Sequence, residues 1–410
     1  MRGQVRKLVA GMALLACAAS ARAEGGTLVI VGGGLSDDNA AVLTALLDAR
    51  PADAPRIAII PAASGEPQAS ADAFAATLQR HGAKGEDIVT IPLALGDDPG
   101  TPDVDESTWR DNAADADAIA AIEGAGAIWF TGGDQSRITS LLLTRKGEDT
   151  PMLAAIRRRL AAGAVVGGTS AGAAIMSGAM ITQGDSLGAL IGEEAGEPLG
   201  LARGLGFLPG ALVDQHFGER ARLGRLAVAL TDERQPFRMG LGIDEDTAII
   251  VKPAAGSAQV AGSGYVTLLD ARTARRTAGK RTGIAALALG LAGPGDRIEL
   301  ADLRIVPAPF RKLTIGREYV DRPLPDGGGM AYGAQDLATV AGEGLIDNAA
   351  AKAVERHSFA GTRGVTYRFV QSASTRGWWG RDGDSRAHYT IDGVAFAIAP
   401  ITVEIRKVTD

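Results

Sequence analysis

The segment Gly168-Thr169-Ser170-Ala171-Gly172 has the G-x-S-x-G pattern. In this pattern a strand turns sharply into a helix and pushes a serine hydroxyl outward. Glycines on either side give the backbone room for the turn. An apolar strand candidate, Ala164–Val166, precedes it and an Ala-rich helical stretch follows. The five-residue pattern alone also describes an inert Gly/Ser turn, so the strand–turn–helix context is what points Ser170 toward nucleophilic chemistry. A hydroxyl at a helix start also sits in the positive end of the helix dipole, which favours an oxyanion nearby.

A serine nucleophile needs a base. Imidazole suits the role because its unperturbed pKa of about 6.5 allows proton uptake and return near neutrality. The chain has four histidines. His81 stands in a Gly-Ala-Lys-Gly turn that reads as solvated, and His357 and His388 lie far along the tail. His216 closes the apolar run Leu212-Val213-Asp214-Gln215-His216-Phe217, at a strand end, and is the candidate base. The imidazole in turn needs an acceptor for its second N–H. Gly242-Ile243-Asp244-Glu245-Asp246-Thr247 offers three acids between two apolar runs, and Asp185 in Gly184-Asp185-Ser186 competes with them. Asp214 shares a strand face with His216 and suits substrate contact better than orientation. The order Ser…His…acid differs from the Ser…acid…His of α/β-hydrolases.

Elements that would position these groups can be read along the chain. Strand candidates Thr27–Val31, Ile57–Ile60, Ile88–Ile91, Ala127–Phe130 and Ala164–Val166 alternate with helical stretches Asn39–Leu47, Ala71–Arg80, Asp115–Ile122 and Pro151–Ala162. That alternation predicts an α/β fold with a parallel sheet flanked by helices. Sites in such sheets lie beyond the carboxyl ends of the strands. The turns at Gly132-Gly133 and Gly167-Gly168 both fall there. Later come strand candidates Ala248–Val251, Ala258–Val260, Val266–Leu269 and Arg297–Val306. Beyond about Pro307 the alternation fades into a small α+β appendage, with a helix candidate Leu345–Val354 and short strands Val365–Gln371, His388–Ile391, Val394–Ile398 and Thr402–Lys407. The expected division is therefore an export segment over 1–23, a catalytic domain over 24–308 and an extension over 309–410.

The export segment rests on a basic start (Arg2, Arg6, Lys7), an apolar run from Leu8 to Ala19, and Ala21-Arg22-Ala23 as an A-x-A cleavage site. The run is short for a permanent membrane span. It predicts a periplasmic or extracellular protein. Leu14-Leu15-Ala16-Cys17 loosely resembles a lipoprotein site, but the A-x-A site competes with it. Cys17 is the single cysteine of 410 residues. Cleavage after Ala23 would leave no thiol, disulfide or cysteine ligand. No Cys/His cluster suggests a metal, and the chemistry calls for no cofactor. A net charge of −6 argues against nucleic acid as a partner. Hydrophobic residues at 46% and charged residues at 22% are ordinary for a globular chain with a sizeable core.

Together, Phe130-Thr131-Gly132-Gly133-Asp134-Gln135, Gly167–Ala173, Asp214-Gln215-His216-Phe217 and Gly242–Ala248 resemble the cyanophycinases among the peptidase E-like serine hydrolases (peptidase family S51). The resemblance covers roughly residues 27–305. It implies a flavodoxin-like or class I glutamine amidotransferase-like sheet. It also implies hydrolysis of cyanophycin, a poly-aspartate carrying arginine on its β-carboxylates, to β-Asp-Arg dipeptides, with export of some members and a homodimer. Carried across, it makes Ser170 the nucleophile, His216 the base and Glu245 the acid. Gln135, Asp214, Gln215, Arg220, Arg222 and Arg225 become substrate contacts. Bidentate guanidinium groups at Arg220, Arg222 and Arg225 would suit aspartyl carboxylates, and Asp214 would meet a substrate arginine. Backbone N–H groups of Ala171 and of Gly132 or Gly133 would form the oxyanion hole. Two other readings stand beside this one: an exopeptidase for short aspartyl or isoaspartyl peptides, and a secreted binding protein on the same scaffold that has lost catalysis.

Overall fold

The computed structural model describes residues 25–277, 282–324, 327–331, 333 and 336–404. The export segment over 1–23 with Cys17, and residues 405–407 of the last expected strand, lie outside them.

Five strands build the parallel half of the first sheet: β1 (Thr27–Val31), β2 (Ile57–Ile60), β3 (Ile88–Thr90), β4 (Ala127–Phe130) and β5 (Val165–Thr169), in the order β3-β2-β4-β5-β1. β2 and β4 are buried along their whole length, because helices cover both faces. Side chains alternate accordingly. Leu28, Ile30, Ile128 and Phe130 pack into one core, and Val29, Val31, Ala127 and Trp129 into the other. The flanking helices are α1 (Ala40–Asp48), α2 (Pro67–Arg80), α3 (Ala116–Glu123), α4 (Gln135–Leu142) and α5 (Pro151–Ala161). Their starts are legible. Asp115 accepts the Ala118 N–H at 2.8 Å, and Thr150 caps a helix whose first residue is Pro151. α2 begins four residues before the apolar spacing suggested, with Pro67 in its first turn.

The expected α/β fold with a parallel sheet flanked by helices is found, and antiparallel strands extend that sheet. Past the short helix α6 (Ala171–Ala174) come β6 (Ala179–Gln183), α7 (Ser186–Ile191), β7 (Gly200–Arg203), β8 (Leu212–Asp214), α8 (Leu223–Leu230), β9 (Met239–Ile243), β10 (Thr247–Lys252), β11 (Ser257–Gly262), β12 (Val266–Asp270), β13 (Arg275–Arg276), β14 (Ile284–Ala292), β15 (Arg297–Glu299) and β16 (Arg304–Val306). β10 pairs antiparallel with β1, and β11, β15 and β16 follow it outward, so the first sheet is mixed and nine-stranded. Short turns join β10 to β11 and β15 to β16, and such links allow only antiparallel return, since parallel neighbours need long crossovers.

The tail does not fold apart from the rest. It adds β17 (Lys312–Leu313), β18 (Ala353–Ala360), β19 (Arg363–Val370), β20 (Arg376–Arg381) and β21 (Ala387–Thr402). The main path of the second sheet runs β8-β9-β12-β14-β21-β20-β17, and β19 also pairs with β21. Leu226 of α8, Leu289 of β14 and the tail residues Tyr367, Phe369 and Phe396 share one core. The expected break at 308 therefore separates no two cores. The helix expected over Leu345–Val354 is instead a wide, π-type helix over Ala338–Ile346. Gly342 and Gly344 let it press on Tyr389 and Leu324, where an added Cβ would come within 2.5 Å and 2.4 Å. Asn348 ends the segment by donating to the Arg322 carbonyl.

Candidate active site

Ser170 leaves the end of β5 with φ 54° and ψ −108°, a strained conformation for a residue with a Cβ. Its N–H donates to the Val31 carbonyl at 3.0 Å. The turn is as tight as the glycines allow. A Cβ on Gly168 would lie 2.8 Å from the Gly172 backbone, and one on Gly172 would lie 2.5 Å from the Phe130 carbonyl oxygen. The helix that follows is a single turn, shorter than the Ala-rich sequence suggested.

Ser170 Oγ donates to His216 Nε2 at 2.8 Å, and His216 Nδ1 donates to Glu245 Oε1 at 2.5 Å. The structure thus brings together the three residues of the expected set. His216 follows β8 and adopts φ 45°. Burial pushes the His216 pKa down, and Arg220 and Arg222 reinforce this against the opposing pull of Glu245. The imidazole is therefore held neutral, as a base must be.

The three clustered acids have three different partners. Glu245 faces His216. Asp244 is buried and accepts the Gly218 and Tyr265 N–H groups at 2.9 and 3.0 Å; burial first, then Glu219, pushes its pKa up to about 7. Asp246 takes bonds from Ser36, Asn39 and Ser263, pinning the turn that carries Glu245. Asp185 makes no bond to the imidazole among the described residues. It caps α7 through the Gly188 N–H and accepts the Glu197 N–H, both at 2.7 Å, so its competing claim as orienter falls. Of the other histidines, His357 bonds Thr366 and His388 bonds Asp382.

Sequence reasoning missed the hub of the site, the Gly32-Gly33-Gly34 turn after β1. The Gly32 carbonyl accepts the His216 N–H at 2.6 Å, and the Gly33 carbonyl accepts the Asp246 N–H at 2.8 Å. Gly33 has φ 109°, and a Cβ there would sit 2.3 Å from His216 Cε1. Gly34 lies under Glu245, where an added Cβ would come within 2.9 Å of its Oε2. A run of three glycines closing a strand was the available signal.

A cleft of about 680 Å³ opens on Ser170, lined by Gly133, Asp134, Gln135, Gln215, Glu197 and the three arginines among others. The expected substrate residues divide into two groups. Arg220 is exposed and its side chain makes no hydrogen bond or ion pair among the described residues. Gln215 is buried with Oε1 unpartnered. Both are available to a ligand. Gln135 spends its amide nitrogen on the Ile181 and Thr182 carbonyls at 2.8 and 3.0 Å. Arg225 binds Asp214 through Nε at 2.9 Å and Nη2 at 2.5 Å, and also the Gly184 carbonyl. Arg222 bonds the Gln215 carbonyl and lies 3.6 Å from Asp214; burial lowers its pKa to about 10.

Asp214 therefore cannot meet a substrate arginine as expected. It is 1% exposed and does not line the cleft. Burial alone would raise its pKa, but Arg225 and then Arg222 hold it below the usual range. The cleft's carboxylates are Asp134 and Glu197, neither of which was assigned a substrate contact from the sequence. Gly132 lies beside Ser170, with an added Cβ 3.4 Å from the serine Cβ, whereas Gly133 faces the cleft. Ala171 opens a helix, so its N–H has no helical partner.

Comparison with known proteins places the chain in a family. Residues 106–256 match the model of peptidase family S51. The chain is 38% identical over 216 residues to a cyanophycinase of Geminocystis herdmanii, covering 52% of this chain and 69% of that one. It is 36% identical over 210 residues to a cyanophycinase of Trichormus variabilis, covering 49% and 66%. Among solved structures, a peptidase from an acI-B1 Actinobacterium superposes with a TM-score of 0.48 at 18% identity, covering 68% of this chain and 98% of that one. The chain belongs to the cyanophycinases of peptidase family S51 and is a serine-type peptidase.

Proposed function

We propose that the protein hydrolyses cyanophycin to β-Asp-Arg dipeptides through an acyl-enzyme on Ser170. The observation that carries this reading is the Ser170–His216–Glu245 chain of hydrogen bonds at the floor of a cleft lined by arginines. Neutral His216 takes the Ser170 proton as Oγ attacks an aspartyl backbone carbonyl. Glu245 accepts the Nδ1–H and stabilises the imidazolium that forms. The oxyanion is met by the N–H groups of Ala171 and of Gly133, or of Gly132 beside it. The His216 proton passes to the departing amine. Water then attacks the ester, with His216 again as base, and Ser170 recovers its proton.

Each substrate arginine is joined through its α-nitrogen, so it presents a guanidinium and a free carboxylate. Arg220 is placed to meet carboxylates, and the buried Gln215 Oε1 awaits an N–H donor. Asp134 and Glu197 take the role first given to Asp214 and face the guanidinium. Arg222, Arg225 and Asp214 hold the wall behind them.

The test is incubation with insoluble cyanophycin and identification of the products by mass spectrometry. Release of β-Asp-Arg is expected from the intact chain and none from Ser170→Ala. Turnover of free aspartyl dipeptides with the polymer untouched would overturn the reading. Export, proposed from the N-terminal pattern, is tested by sequencing the mature N-terminus, expected at Glu24. The homodimer that the resemblance implies is tested by sedimentation.

A further inference from the structure

A second cavity, of about 570 Å³, lies wholly in the tail. Its walls include Lys312, Arg317, Glu343, Trp379, Arg381 and Tyr389. The pairing register explains its shape. Lys312 lies opposite Trp379, and Trp379 lies opposite Tyr389, so three side chains stand in one row across β17, β20 and β21 on the same face. Arg381, two residues after Trp379, shares that face. The wide helix and the residue that follows it supply the acids. Asp347 is committed, since it accepts the Tyr389 O–H at 3.0 Å and the Tyr319 N–H at 2.9 Å. It holds the tyrosine in place. Glu343, half-buried, makes no hydrogen bond or ion pair among the described residues, and the same is true of the exposed Lys312 and Arg317 side chains. The Arg381 guanidinium stands 5.7 Å from the Trp379 ring centre.

An aromatic pair beside an uncommitted carboxylate suits a guanidinium, which stacks on rings and forks onto carboxylates. Uncommitted cations at the same mouth suit a carboxylate. An arginine amidated at its α-nitrogen carries both groups. We propose that this cavity is a second docking site for the arginyl side chains of the polymer, distinct from the cleft at Ser170; the proposal rests on the functional reading above. The guanidinium lies against Tyr389 and the face of Trp379 that Arg381 does not cover, toward Glu343, and the free carboxylate meets Lys312 and Arg317. The cavity lies at the β17 edge of the second sheet, whereas Ser170 stands at the end of β5 in the first, so the two sites are apart in the fold. A repeating polymer can reach both, and engagement at one site raises the effective concentration at the other.

The test uses the full chain with Ser170→Ala, so that polymer is not consumed, in co-sedimentation with insoluble cyanophycin. Adding Trp379→Ala, or the exposed pair Lys312→Glu and Arg317→Glu, is expected to raise the half-saturating concentration about tenfold, the equivalent of ~1.4 kcal/mol. Nα-acetyl-arginine should compete for the bound fraction. With Ser170 intact, the same variants should cleave a short soluble β-Asp-Arg oligomer at the parent kcat/KM. Unchanged co-sedimentation in the charge-reversal variant, or failure of Nα-acetyl-arginine to compete, overturns the second site. If the parent chain releases no dipeptide from the polymer, it is the functional reading that falls.

Discussion

Gly33→Ala tests the proposed geometry without replacing any group that reacts. An alanine Cβ would stand 2.3 Å from His216 Cε1 and 2.5 Å from Nε2. Ordinary contact begins near 3.4 Å, so the imidazole must retreat by about 1.1 Å. A displacement of about 1 Å in a reacting group can cost about 100-fold in rate. Here it pulls Nε2 out of the 2.8 Å bond to Ser170 Oγ. The residue would also hold φ near 109°, a strain of about 1–2 kcal/mol for an L side chain. The expected result is kcat down about 100-fold on β-Asp-Arg oligomers, with KM little changed. Gly192→Ala is the control. Its φ is 113°, but nothing lies within 4 Å of the added Cβ. It should lose the same stability in a urea titration and keep full activity. Gly33→Ala at parental kcat would refute the role of the triglycine turn in setting the histidine. Equal loss of activity in both variants would reduce the effect to backbone strain.

Ser170→Ala should lower kcat about 10⁶-fold, and Glu245→Gln about 10⁴-fold, in single-turnover assays, while Asp185→Ala loses only helix-cap stability of about 1 kcal/mol. The pH profile of kcat/KM should fall on the acid side below 6.5, because a base with a lowered pKa stays neutral down to that lower value. Removing one of the cations that depress it, as in Arg220→Ala, should move this limb upward; an unmoved limb would exclude His216 as the titrating group. The same shift predicts a stability contribution that is complete above pH 6.5 and lost as pH falls through the folded pKa. Asp214→Asn should destabilise by about 3–5 kcal/mol in urea unfolding, since it strands the buried Arg225 and Arg222. A small stability loss with a large rise in KM would instead return Asp214 to substrate contact.

The reacting residues were legible because each carries a local signature. The elbow glycines announced Ser170, and the shortage of histidines isolated His216. The choice among Asp244, Glu245 and Asp246 came from resemblance, since neighbours in sequence gave no physical reason to prefer one. Only the fold turns one toward the imidazole and the others toward backbone and Asn39. Asp214 misled because alternation places it on the same face as His216. Its commitment to Arg225, eleven residues on, depends on how α8 packs. The antiparallel half of the first sheet escaped because strand runs show no direction. The tail looked separate because the helix–strand rhythm stops, yet its pairing with β14 is long-range and leaves no local trace.

That pairing bears on what shortening the protein would do. β14 is apolar along most of its nine residues, and β21 runs beside it. A chain ending near 308 would keep β14 but leave its ladder open, with Leu287, Leu289 and Leu291 on a bare edge. Such an edge is a template for pairing with other chains. A truncated protein would be expected to form insoluble assemblies whether or not its catalytic groups were sound. Inactivity on deleting the tail would then report self-association rather than a missing function, and point substitutions that spare the β14–β21 ladder are the sounder way to ask what the tail does.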